Sequence, residues 1–425
     1  MRGSGLRLFG TTVSELANIA IVLGVDVNGL GVIRSLGAKG IRVWAADPDR
    51  LAPGLYSRFV ERRLICPDPT KDPEAFIGFL REGAGSFSSP PILFPTTDPY
   101  VHALASYSAE LDGRCLTYLP RREIIDAIID KRKQYQNAQR HEIPMPTTHI
   151  LDSPRSLSDL VSSLMVPCVL KPAFSDSFRE RFNFKAIKVV SSGQLLEVYK
   201  TYLNLGHPLL AQEIILGGAK NLVEVMTFVR RDGILSAAFA SRKLEQFPED
   251  FGSGTIFESI RQETLLPLVS RVLEAFEFSG LCNIEFKWDA RDHQFKFIEL
   301  NPRTSNCSLH PTQCGINIPW LAYSDAAGAP SVERQFDYEL GKLWVVPEIR
   351  LLRLGRLAMP GSAPRRSPWA RSYIQAVASI KDPLPELFFL LRGGLRAVRQ
   401  ARKIPGPKKG VRAGANEGVI LSLRR

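Results

Sequence analysis

A near-mirror placement of acidic residues about Asp292 constrains this chain more than any other feature. Glu285 and Glu299 each lie seven residues from Asp292, inside two apolar runs at 281–288 and 295–301. Two such runs around a turn read as a β-hairpin, and a tip of three or five residues centred on Asp292 sets the glutamates opposite one another. Asn301 falls on the same face as Glu299, because strand side chains alternate with period two. Paired carboxylates on a half-buried sheet repel, so something cationic should sit between them. Two carboxylates and an amide oxygen suit a hard cation such as magnesium. A solvent-facing sheet with Lys287 and Lys296 as partners is the alternative that spacing leaves open.

The rest of the chain supplies a frame for that hairpin. With 425 residues, 44% hydrophobic and 23% charged, it can build two or three domains with cores, which excludes global disorder. No uncharged apolar run approaches the ~20 residues needed to cross a bilayer. Arg2 and Arg7 before the apolar run 19–25 imitate a signal peptide, but no small-residue cleavage site follows, so 19–25 reads as a first strand. Residues 18–120 alternate apolar runs (19–25, 41–46, 91–95) with helical patterns (31–36, 101–105), as in a parallel α/β sheet that binds ligands at its strand carboxyl ends. Gly24, Asn28, Gly29 and Gly31 miss the dinucleotide spacing and read as a tight strand-to-helix turn. Asp47 and Asp98 end strands there and either face a ligand or cap the following helices. Helical patterns at 123–129 and 131–140 lead into an α+β unit, mostly antiparallel, with strands at 167–171, 186–190, 209–215, 222–228 and 235–240, a helix at 264–276, and the hairpin.

The formal net charge of +12 is local. From Ser331 onward there are 19 Lys or Arg against 7 Asp or Glu, leaving residues 1–330 balanced. Residues 384–403 interleave Leu387, Leu390, Leu391 and Leu395 with Arg392, Arg396, Arg399 and Arg402. This basic amphipathic helix either docks on the protein or lies on an anionic membrane surface. The basic tail lacks interleaved aromatics, so no nucleic-acid partner is expected. Six scattered cysteines imply a reducing, cytoplasmic setting and no zinc site.

Phe297-Ile298-Glu299-Leu300-Asn301-Pro302-Arg303, preceded by Asn283-Ile284-Glu285-Phe286-Lys287, resembles the metal-binding signature of the ATP-grasp superfamily. Asp130-Lys131 and Leu170-Lys171-Pro172 look like its two phosphate-binding lysines, and Ala211-Gln212-Glu213-Ile214-Ile215 like the strand joining its two lobes. Residues 241–254 and 381–385 look most like the carboxylate-amine ligase branch that includes D-aspartate ligase. The resemblance implies an N-terminal extension (1–17), a pre-ATP-grasp α/β domain (18–120), an ATP-grasp domain (121–330, lobes about 121–210 and 211–330) and a basic C-terminal extension (331–425).

It further implies ATP with one or two Mg²⁺, Mn²⁺ being the substitute ion, held by Glu285, Glu299 and Asn301. Lys131 and Lys171 would bind phosphates, Gln212, Glu213, Ile214 and Ile215 the adenine, and Arg303 with Lys171 would act in catalysis. Arg242, Lys243, Ser253 and Gly254 would receive an anionic substrate, or else form a surface hairpin. The flap 173–185 has no glycine, so Arg179, Arg181 and Lys185 take over phosphate contacts or form a solvated basic loop. The usual ribose acid is replaced by Gly218-Ala219-Lys220-Asn221. The implied partners are a small carboxylate and an amine, and a homodimer is compatible. A bicarbonate-activating enzyme similar to biotin carboxylase or carbamoyl-phosphate synthetase, and a nucleotide-binding regulatory protein, are the competing expectations. His310, Cys307 and Cys314 lie near the hairpin in sequence, with no base paired to either thiol. Because the positive charge is confined to the C-terminal segment, deleting residues 404–425 should leave ATP turnover unchanged. Loss of turnover with solubility retained would place the tail in the active site.

Overall fold

A computed structural model of the chain describes residues 7–8, 11–12, 18–85, 87–151, 166–174, 186–203, 208–247, 249–261, 263–329, 334–346 and 373–403. The N-terminal sheet is parallel, in the order β3-β2-β1-β4-β5. Its strands are β1 (Ala20–Leu23), β2 (Val43–Ala46), β3 (Val60–Leu64), β4 (Ile92–Pro95) and β5 (Leu116–Thr117). β1 and β2 are apolar throughout because helices cover both of their faces. Helix α1 (Val27–Gly37) lies on one face, while α2 (Pro73–Ala84) and α3 (Asp98–Ser106) cover the other through Phe76, Leu80, Tyr100 and Leu104. β3 carries no apolar signal, since its Glu61, Arg62 and Arg63 are exposed at the sheet edge.

The glycine turn has a packing explanation. Gly24 has φ +79°, and a Cβ on Gly31 would stand 2.1 Å from the Ser308 hydroxyl and 2.8 Å from the Leu309 nitrogen. The crevice between β1 and β4, where strand order reverses and a free domain of this type would take a ligand, is filled by residues 304–308. Asn28 donates to the Thr96 and Thr304 carbonyls, both at 2.8 Å, and accepts from the Thr304 hydroxyl at 2.7 Å. Asp47 also serves structure, accepting the Val25 and Asp49 amides.

Two helices, α4 (Arg122–Ile129) and α5 (Lys131–Arg140), lead to a small antiparallel sheet in the order β8-β7-β9-β6. Its strands are β6 (Thr148–Leu151), β7 (Cys168–Pro172), β8 (Ile187–Val189) and β9 (Leu209–Glu213), backed by α6 (Ser192–Leu203). The large sheet follows: β10 (Leu222–Val229), β11 (Leu235–Phe247), β12 (Ser253–Ile260), β13 (Gly280–Asp289), β14 (Gln294–Asn301), β15 (Leu343–Val345) and β16 (Tyr373–Gln375). Its order is β14-β13-β10-β11-β12-β15-β16, antiparallel up to the final parallel pair. Helix α7 (Leu266–Ala275) covers one face, and α8 (Ile318–Ala326) joins the other to the N-terminal sheet.

The expected boundary at residue 330 is not a structural one. β15 and β16 extend the large sheet beyond it, and the chain then docks on the N-terminal domain. The buried Arg34 guanidinium pairs with Asp382 at 2.9 Å and donates to the Val377 carbonyl at 2.8 Å. Helix α9 (Leu384–Lys403) follows.

The close approach at Gly31 yields a paired test by thermal unfolding. Gly31→Ala should cost about 1–3 kcal/mol, because backbone must move to admit the methyl. Gly78→Ala, in α2 with nothing within 4 Å of the added carbon, should instead gain up to about 1 kcal/mol.

Candidate active site

The hairpin forms by a different route from the symmetric tip expected. Asp289 pairs with Gln294, so four residues make the tip, and a bulge beside Ile298 shifts the register until Glu285 faces Glu299. The bulge also explains why Phe297 and Leu300, three apart, both enter the core. Glu285 is opposite Glu224 of β10 as well, so three carboxylates run across three neighbouring strands. The missed member is Glu224. On β10 it shares a face with Met226 and Phe228, which pack toward α8, and it lies one period further on, at the cavity. A single glutamate in an apolar strand carries no signal of its own, and only the pairing of β10 with β13 discloses its place in the row.

These carboxylates face a cavity of about 1340 Å³ between the small sheet and the large one, closed at one side by residues after β1 and β4. Helix α5 sets the opposing charge. Along the edge strand β14, Gln134 exchanges hydrogen bonds with both backbone groups of Leu300, and the Tyr135 hydroxyl donates to the Ile298 carbonyl at 2.5 Å. With α5 so fixed, the Lys131 ammonium meets Glu299 at 2.6 Å. Burial favours the neutral acid at Glu299, yet Lys131, reinforced by Lys171 and Arg303, holds its carboxyl at about 2. Burial likewise opposes the Lys131 charge, but Glu299 raises that ammonium above its usual value. Lys171, on β7, donates to the Gln212 side chain at 2.6 Å, and Gln212 donates onward to the Thr148 hydroxyl at 2.8 Å. Burial, with Lys131 nearby, lowers the Lys171 ammonium to about 8.

At the other end of the row, burial and the neighbouring Glu285 raise the Glu224 carboxyl to about 7 against the pull of Lys243. Lys243 is itself buried, 3.9 Å from Glu224. Neither lysine offered as a partner for the paired glutamates plays that part. Lys287 donates to the Ile215 carbonyl at 2.7 Å, and Lys296 pairs with Asp292. Lys287 nevertheless lines the cavity, a position its reading as a solvated neighbour concealed. Arg303 is clamped from the N-terminal domain by Asp98 at 2.6 Å and donates to the Asn301 side chain at 3.3 Å.

Gln212, Glu213, Ile214 and Ile215 line the cavity where β9 leaves the small sheet, as do Ser253 and Gly254. The Glu213 carboxylate is taken by Arg291 at 2.5 Å. Arg242 is not brought there. Adjacent to Lys243 on one strand, it points through the opposite face and lines a separate depression with Pro144, Trp288 and Phe295. Arg179, Arg181 and Lys185 lie outside the described residues. His310 is fully buried against Phe239, its ring held down at about 4 by burial. Burial pushes the Cys307 thiol well up, as expected of a packed rather than a nucleophilic cysteine.

The donor set fits a hard divalent ion in one particular way. Among the described residues, no three His, Cys, Asp or Glu side chains are gathered so as to hold a metal by themselves. Two carboxylates and the Asn301 oxygen would instead give a partial donor set, of the kind that magnesium completes with phosphates and water.

No protein-family model matches the chain. It is 24% identical over 368 residues to a D-aspartate ligase of Enterococcus faecium, covering 80% of this chain and 85% of that protein. Among solved structures it is similar to an ADP complex of N5-carboxyaminoimidazole ribonucleotide synthetase, with TM-score 0.60, 16% identity, and 80% and 86% of the two chains covered. It is also similar to an L-amino acid ligase of Bacillus licheniformis, with TM-score 0.55, 18% identity, and 73% and 74% covered. A biotin carboxylase of Campylobacter jejuni gives TM-score 0.59 at 17% identity, with 78% and 75% covered. The chain shares the fold of these enzymes, and the five motifs that resemble the ATP-grasp signature lie along one cavity between two sheets.

Proposed function

We propose that the protein activates the carboxylate of an amino acid as an acyl phosphate at the expense of ATP and passes it to an amine, releasing ADP and phosphate. The observation that carries this reading is the facing of two ammoniums, Lys131 and Lys171, against the Glu285–Glu299 pair in one cavity. Phosphoryl transfer asks mainly for positioning and for neutralisation of spread negative charge. Lys131 and Lys171 supply that charge from the small-sheet side. Gln212 to Ile215 form the wall against which the adenine would lie. Arg303, its direction fixed by Asp98, stabilises charge developing on the transferred group or on the tetrahedral adduct formed when the amine attacks. Glu285, Glu299 and Asn301 would hold Mg²⁺, or Mn²⁺ in its place, and a bound ion would neutralise charge on the nucleotide phosphates.

Lys243, with Ser253 and Gly254, would receive the acid. Because one sequence relative is a D-aspartate ligase, D-aspartate is the first acid to test, in a phosphate-release assay with ATP, magnesium and a panel of amino acids and amines. Release that requires both an acid and an amine supports the proposal, and ATP hydrolysis indifferent to both contradicts it.

Glu299→Gln retains an acceptor for Lys131 and should stay folded, while turnover falls by at least about 10²-fold. Melting temperature and phosphate release measured together decide this, since a folded variant at the wild-type rate would remove Glu299 from the chemistry. Lys171 gives a pH signature. Burial and the neighbouring Lys131 lower its ammonium to about 8, so above that pH nucleotide binding must take up a proton. ATP affinity should be level up to pH 8 and then fall by about tenfold per unit. In Lys171→Arg, which stays charged, equilibrium binding should lack that fall.

A further inference from the structure

Helix α9 is bound to the body by one side only. Phe388 stacks on Tyr56, Phe389 reaches the cavity wall, and Arg392 pairs with Asp26 at 2.9 Å and Asp49 at 2.7 Å. Away from those contacts, Leu384, Leu387, Leu391 and Leu395 recur at spacings of three, four and four, with Leu390 beside them. Each is 46–51% exposed, so a continuous leucine stripe is left uncovered by the described residues. A scattered surface leucine needs no explanation, but a stripe along a helix does.

Charge identifies what would cover it. Besides Arg392, which the body holds, the 20-residue helix carries four Arg or Lys and one Glu, and the chain beyond adds Lys408, Lys409, Arg412, Arg424 and Arg425 against Glu417. The whole net charge of +12 resides in residues 331–425. Pairing two copies through the stripe would bring like charges together. An anionic bilayer surface offers acyl chains to the leucines and phosphate headgroups to the basic side chains at once. Among the described residues no helix is long and apolar enough to cross a membrane, and α9 would lie in the plane of the surface. We propose that α9 is a peripheral membrane anchor that seats the protein on anionic lipid by its leucine stripe.

The test is co-sedimentation of the full chain with vesicles of equal parts phosphatidylglycerol and phosphatidylcholine, and with phosphatidylcholine alone. Binding should be at least about 10-fold tighter to the anionic vesicles and should weaken with salt. The double variant L387E/L391E should bind them at least about 10-fold more weakly. Its phosphate release should not change, because these residues face away from the cavity. Equal binding to both vesicles, or a double variant that binds as wild type, overturns the proposal. So does a dimer in sedimentation analysis that the double variant dissociates while vesicle binding is absent, since the stripe would then belong to a second copy.

Discussion

Two carboxylates directly opposed on adjacent strands repel one another, by about 3 kcal/mol at a ~5 Å separation and an effective dielectric near 20. Glu285 and Glu299 are so opposed, and Glu224 continues the row. Much of the surrounding architecture is intelligible as the response to that repulsion. Helix α5 grips the edge of β14 through Gln134 and Tyr135, which brings the Lys131 ammonium to Glu299. At the far end, Glu224 relieves the repulsion by holding its proton more tightly, with Lys243 beside it. A site with a surplus of lysines around a short row of acids is suited to exchange its internal ion pairs for those of a polyphosphate and its metal.

The N-terminal domain contributes by what it forgoes. Its sheet reverses strand order between β1 and β4, the place where such sheets commonly bind ligands, and residues 304–308 occupy that crevice through Asn28 and Ser308. Gly31 permits the approach. The same junction carries Asp98 to Arg303, so the domain orients a residue of the site. The C-terminal segment ties down the opposite flank, where the Arg34–Asp382 ion pair is almost wholly desolvated and makes further hydrogen bonds to backbone on both partners. Such a pair fixes geometry whatever its net contribution to stability.

The sequence made some parts of this legible and hid others, for physical reasons. The facing of Glu285 and Glu299 followed from their equal spacing about Asp292, although the structure reaches it by a four-residue tip and a bulge, because a bulge leaves no local signal. β1 and β2 were readable as buried parallel strands, while β3, polar at an edge, was not. Lys243 was readable as a site residue, but its neighbour Arg242 was assigned to the same site because the resemblance of residues 241–254 carried no strand register. Once those residues lie on a strand, alternation separates them. Glu224 was illegible because its meaning depends on which strand pairs with which, and pairing of β10 with β13 spans some sixty residues of chain.

The central claim is that this cavity transfers the terminal phosphoryl group of ATP to a carboxylate before any amine arrives. It is tested most directly by positional isotope exchange, using ATP that carries heavy oxygen in the β,γ-bridge, with magnesium and one amino acid at a time but no amine. The account predicts that an acid substrate, D-aspartate first among those tried, drives the label from the bridge into the non-bridging β positions, and that Glu299→Gln does not. Label that stays in the bridge with every acid, under conditions where phosphate release requires acid and amine together, would contradict an acyl phosphate and with it the role given to the lysine-faced carboxylate row.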